Sequence, residues 1–136
     1  VTTGTTRHMV DVFVGFQMSR VTLIFMMFIL FLILGCILES TSILVLTMPF
    51  MYPITQQYGV DAVWFGTFVT MMMVLAGISP PVGLNVFVVR SVCTDIPVTT
   101  IYKGAFPFIV IMCVSILCIC IWPDLVLGPV RSMMGV

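Results

Sequence analysis

The stretch Gly77-Ile78-Ser79-Pro80-Pro81-Val82-Gly83-Leu84-Asn85 decides the fold, because it interrupts what would otherwise be one long apolar helix. Pro80 and Pro81 lack N–H donors and their rings clash with the preceding turn, while Gly77 and Gly83 loosen the backbone on either side. Residues 61–91 are otherwise apolar enough to lie in a bilayer. Backbone that leaves the helix at membrane depth loses hydrogen bonds that lipid cannot replace. It survives only where protein buries it or where it lines a wet cavity. Freed carbonyls and half-helix ends in such a place are what secondary transporters use to hold ions and substrates.

The composition agrees with a bilayer setting. Of 136 residues, 61% are hydrophobic and 7% charged, against about 25% charged in a soluble domain, and the mean hydropathy is +1.28. Five basic and five acidic residues cancel, which leaves no basic patch for nucleic acid. His8 is the sole histidine, so a multi-His transition-metal site is excluded within this sequence. The five cysteines lie in or beside apolar runs without CxxC spacing, and they read as small apolar filler, as do the twelve methionines. No nucleophile–base pair, phosphate loop or cofactor fingerprint occurs, so neither an enzyme nor an organic cofactor is expected. Residues 1–20 lack the charged start and short apolar core of a signal peptide. A Thr-rich start without initiator Met leads to the expectation of the C-terminal part of a longer protein.

The fold class expected is an all-α membrane protein with three parts: a re-entrant helical hairpin, a proline-broken transmembrane helix and a final spanning helix. Residues 1–20 mix Arg7, His8, Asp11 and Arg20 with Met9, Val10, Phe13 and Phe16. That spacing suits an arm helix lying at the interface, or a loop with a frayed helical end. Residues 21–51 are too long for one untilted span and too short for two, since about 20 residues cross the hydrocarbon. A hairpin over 21–58 resolves this, descending to Leu38, turning at Glu39–Thr41 and returning through Pro49 and Pro53 to the Tyr58–Asp61 turn. One tilted span followed by an interfacial helix is the competing reading. The broken helix occupies 61–93, with Asp61 as its cap. A short helix from Pro97 carries Lys103, the last span covers 105–123 with Trp122 at its end, and the tail from Pro123 reads as loop.

Two breaks at mid-depth, Gly35–Thr41 and Gly77–Gly83, can face each other. The candidate ion site comprises Ser40, Thr41, Gly77, Ile78, Ser79, Pro80 and Gly83, through side-chain hydroxyls and freed carbonyls. Neutral oxygen cages of this kind suit Na⁺ better than Mg²⁺, which prefers carboxylates and retained water. The competing reading has Ser and Thr bonding back to their own helices while the prolines make kinks. Glu39 is the only carboxylate deep in the apolar sequence, and an ionised carboxylate there costs on the order of 3 kcal/mol by translocon insertion. It attracts a cation, carries a proton, or caps the returning helix. Pro81 and Asn85 are candidates for holding the break in shape, and Asn85 for meeting substrate.

These residues carry a resemblance. Ser79-Pro80-Pro81-Val82-Gly83-Leu84-Asn85-Val86-Phe87-Val88 resembles the TPPVGLNxFV signature of the large membrane subunit of TRAP (tripartite ATP-independent periplasmic) transporters. Leu34-Gly35-Cys36-Ile37-Leu38-Glu39 is similar to that family's LGxFLD hairpin tip, and Pro49 with Pro53 to its PIxxP return arm. Tyr58-Gly59-Val60-Asp61 with Phe65-Gly66 is similar to its GxDPxxFG turn, and Gly104-Ala105-Phe106-Pro107-Phe108 to the start of its last helix. The likeness runs over about residues 10–130. Glu39 replaces the usual Asp and Ser79 the usual Thr, both keeping the side-chain chemistry, while Ala62 replaces a Pro. The resemblance implies one inverted-repeat half of an elevator-type, Na⁺-driven importer of an organic acid such as a C4-dicarboxylate or sialic acid. It implies a multi-pass place in the bacterial inner membrane. The partners it implies are the N-terminal repeat of the same subunit, a small TRAP membrane subunit and a periplasmic substrate-binding protein. The alternative is a small structural helical subunit without its own pathway.

Overall fold

A computed structural model describes residues 19–80 and 83–135, together with Gly4 and Gly15. Six helices run through the described residues: α1 Arg20–Ile37, α2 Ser40–Gln57, α3 Ala62–Ile78, α4 Leu84–Val92, α5 Val98–Ile121 and α6 Asp124–Met134. The expected arm helix over 1–20 lies outside the described residues.

The interior is organised around α3, which packs against each of the other five. Its apolar side chains Trp64, Phe65, Phe68, Val69, Met72 and Leu75 are buried. From α1, Leu23, Met27 and Phe31 enter this core at four-residue spacing, as one stripe of a helix must. The opposite stripe of α1 is also apolar: Val21, Phe25, Ile29, Ile33 and Ile37 are exposed. A helix apolar all round belongs in lipid or within a larger protein, not against water. Both α1 and α5 are long and apolar enough to cross a membrane. Trp64 joins α3 to α5: its indole N–H donates to the carbonyl of Ile119 at 2.8 Å. That carbonyl lies in the last turn of α5, where no intrahelical partner exists.

The two arms α1 and α2 meet only two residues apart, at Leu38 and Glu39. The turn therefore falls slightly earlier than Glu39–Thr41, with Ser40 and Thr41 already helical. Pro49 and Pro53 both lie inside one continuous α2. At its far end, Gly59 adopts φ +66. Val60 N–H reaches Thr55 O at 3.0 Å and Gly59 N–H reaches Gln56 O at 3.1 Å, the paired bonds of a Schellman ending. Asp61 then caps α3 through Val63 N–H at 2.8 Å, as its position after the glycine turn suggested.

Two expectations are corrected. The short helix carrying Lys103 and the last span are one helix, α5, which starts at Val98 and runs through Pro107. Pro97 is its N-cap, so Pro107 lies well inside, where a transmembrane helix tolerates proline when neighbouring groups satisfy the freed carbonyl. The tail is not loop. Asp124–Met134 forms α6, whose Leu127 is buried and which packs against both α3 and α5.

Candidate functional site

The two breaks face each other. A cleft of about 180 Å³ lies between the hairpin tip, represented by Gly35, Glu39 and Ser40, and the second break, represented by Gly77, Leu84 and Asn85. Small residues bring the elements this close. A methyl group on Gly35 would overlap the side chain of Ala76 in α3, so glycine is what lets α1 cross α3 beside the break. A methyl on Gly77 would stand 2.8 Å from Asn85 Nδ2, so the Asn85 amide lies directly against the backbone where α3 gives out.

The break itself has three parts. Ser79 ends α3 in extended conformation (φ −80, ψ 139), and its N–H still reaches Ala76 O at 3.3 Å. Its hydroxyl donates to Leu75 O at 2.8 Å. This is the back-bonding expected of a buried serine near a helix end, and it uses the hydrogen while leaving the oxygen able to accept. Gly83 then takes φ +44, ψ 83 and is buried, and its carbonyl receives Val86 N–H at 2.8 Å to start α4.

The surroundings of Gly83 leave little room for a side chain. A methyl there would lie 3.0 Å from Ser79 O, 3.3 Å from the Tyr102 hydroxyl and 3.4 Å from Gly77 O. Three oxygens, two of them main-chain carbonyls of the break, thus crowd the position of a Gly83 side chain. The Cys36 thiol of the hairpin tip reaches Pro80 O at 4.0 Å, so the tip touches the break on this side as well.

The sequence-predicted residues divide clearly. Glu39, Ser40, Gly77 and Asn85 share the cleft, and the carbonyls of Gly77 and Ser79 lie close beside Gly83. Thr41 is exposed and its hydroxyl donates to Glu39 Oε1 at 3.0 Å. Glu39 occupies the N-cap position of α2, without a capping bond from its side chain. Pro80 contributes its carbonyl to the tip contact, Ile78 ends α3, and Pro81 lies outside the described residues. Sequence reading missed Tyr102 and Cys36. Tyr102 carries no local motif, and Cys36 read as filler; only the meeting of α1, the break and α5 singles them out.

Comparison with known proteins fits this geometry. The family model "Tripartite ATP-independent periplasmic transporter, DctM component" matches residues 1–125. The chain belongs to that family. Among curated TRAP relatives, the sialic acid TRAP transporter permease protein SiaT of Haemophilus influenzae is 33% identical over 85% of this chain and 19% of its own length. The sialic acid large permease protein SiaM of Vibrio cholerae is 29% identical over 86% of the chain and 27% of its own. The C4-dicarboxylate large permease protein DctM of Pseudomonas aeruginosa is 33% identical over 65% of the chain and 21% of its own. The chain thus spans about a fifth to a quarter of the length of these TRAP permeases.

Proposed function

We propose that this chain supplies one half of the ion and substrate site of a Na⁺-coupled TRAP importer for an organic acid. The observation that carries the reading is the meeting of two helix breaks across a small cleft that Glu39, Ser40 and Asn85 help to line. Neither half of the broken helix alone crosses about 30 Å of hydrocarbon. Ala62–Ile78 rises about 25 Å and Leu84–Val92 about 14 Å. That supports a break inside the membrane and, beside it, a hairpin tip that turns at depth. The carbonyls of Gly77 and Ser79 are neutral oxygens that approach each other beside Gly83, the ligand type that suits a weakly charged cation. Ser40, Thr41, Ile78 and Pro80 are further sources of oxygen for the same ion. Glu39 and Asn85 face the cleft where substrate would sit, and Pro81 keeps the break from regaining helix.

The relatives named for sialic acid, C4-dicarboxylates and, in Oleidesulfovibrio alaskensis, isethionate support a small organic anion as the cargo. A periplasmic binding protein delivers it, the N-terminal repeat closes the site from the other side, and a small membrane subunit braces the movement. Transport is elevator-like, in the inner membrane. Family membership supports this reading over a structural subunit without a pathway.

The test uses the full-length subunit with its membrane partner in proteoliposomes and the substrate-loaded binding protein outside. Uptake should follow an imposed inward Na⁺ gradient and stop when the gradient is collapsed. Uptake that is indifferent to the gradient would remove Na⁺ as the coupling ion.

A further inference from the structure

Two cavities open side by side where α1 and α3 begin and α5 ends, at the opposite end of these helices from the breaks. An apolar groove of about 510 Å³ is walled by Val21, Phe25 and Phe28 of α1, Phe68 of α3, and Leu117 and Ile121 of α5. A polar pocket, also of about 510 Å³, gathers Arg20, Gln56, Asp61, Asp124 and Arg131. Arg20 adjoins Val21 in the chain, and Pro123, another wall of the pocket, follows closely on Ile121. Groove and pocket thus continue into each other along both α1 and α5. We propose that together they hold one bilayer phospholipid with a zwitterionic amine headgroup, an acyl chain in the groove and the headgroup among the charges. Neither cavity shares a lining residue with the cleft between the breaks, so the site does not depend on the identity of the coupling ion.

The dimensions suit an acyl chain. Along α1 the groove runs from Val21 to Phe28 and along α5 from Cys113 to Ile121, a rise of about 11–12 Å. One leaflet supplies about 15 Å of hydrocarbon, so the groove follows most of a single chain's path. Its two outer walls are the helices long and apolar enough to cross a membrane. Moving an acyl chain from lipid into such a groove gains little, because lipid tails are as apolar as leucine. The groove sets the place, and the headgroup must supply the preference.

The charges fit a phosphate joined to an ammonium. Arg20 has no ion-pair partner among the described residues, and Arg131 meets Asp124 only at 3.6 Å, with both side chains more than half exposed. So loose a pair holds weakly, which leaves both guanidinium groups able to bind phosphate oxygens, for which their planar fork is well shaped. Asp61 caps α3 through Oδ1, and its Oδ2 is left to accept. Gln56 gives its Nε2 hydrogen to Val60 O at 3.0 Å and keeps its side-chain oxygen as an acceptor. Two cations and two carboxylates give the pocket no net charge, which matches a zwitterion better than an anionic headgroup. A trimethylated ammonium carries no N–H for the carboxylates, so a primary amine fits best.

The test takes the full-length subunit with its membrane partner, delipidated in detergent. It is titrated with phosphatidylethanolamine, phosphatidylcholine or phosphatidylglycerol of identical acyl chains. Native mass spectrometry counts bound lipid, and thermal unfolding reports the stabilisation it brings. The wild type should hold one phosphatidylethanolamine about tenfold more tightly than either alternative, the worth of one hydrogen bond to a charged group. Arg20→Gln combined with Arg131→Gln should lose that preference, and Leu117→Trp, which fills the groove, should lose the bound lipid. Both variants should unfold at the wild-type midpoint before lipid is added. Equal affinity for the three lipids, or a tighter hold on one of the other two, overturns the proposal, as does a preference that survives both Arg substitutions or a lipid that survives Leu117→Trp. A variant of either kind that fails to fold or is destabilised without lipid means that protein already satisfies that cavity, and overturns it too.

Discussion

Gly83 combines two demands that no other residue type meets. Its left-handed backbone costs an L residue roughly 1–2 kcal/mol, and an added methyl would press on Ser79 O at 3.0 Å. Gly83→Ala should therefore destabilise the full-length subunit by about that amount in thermal unfolding and at the same time weaken its Na⁺ response. A variant that loses stability alone, with an unchanged Na⁺ titration, would make Gly83 a structural turn only. The place of Gly77 and Gly83 at a helix break was legible in the sequence because glycine beside proline has few uses inside an apolar helix. The Ser79 hydroxyl was harder to read, since it bonds back to Leu75 while its carbonyl lies close beside Gly83. Tyr102 was not legible. Its contact crosses from α5 to a break about 20 residues earlier, and no local pattern encodes that approach.

The helices were legible where punctuation was local. The turn at 58–61 was foreseeable from Gly59 and Asp61, and its Schellman and capping bonds follow from those two residues. Proline misled where packing overrides it. Pro107 suggested a helix start, yet α5 begins nine residues earlier, and the tail from Pro123 read as loop where α6 is held by the burial of Leu127. The depth of the hairpin is the property of this element that most needs testing. Glu39, Ser40 and Thr41 are exposed in the chain described here, but across the cleft from a membrane break they would be shielded from bulk water. Single cysteines at these positions, with the native cysteines replaced, should react slowly with bulky impermeant thiol reagents in full-length subunit in membranes. Rapid and complete labelling from one face would mean that α1 and α2 are two full spans.

As a whole, the chain is a core of its own with an apolar exterior. One helix, α3, gathers five others, while α1 and α5 turn apolar stripes outward. Such an exterior is stable only in lipid or against more protein. The curated relatives, of which the chain covers 15–31%, provide more protein. A bilayer setting was readable from composition and the second break from its prolines and glycines; that the two breaks face each other required the fold. Their meeting also gives the most direct measurement. Ser40 and Val88 line the same cleft from opposite breaks. Ser40→Cys and Val88→Cys, paired in a cysteine-free full-length subunit, should cross-link with a short thiol reagent in membranes, and the cross-link should abolish Na⁺-driven uptake until it is reversed. A pair that fails to cross-link although each cysteine is reactive, or one that cross-links and transports at the wild-type rate, would contradict a site built where the two breaks meet.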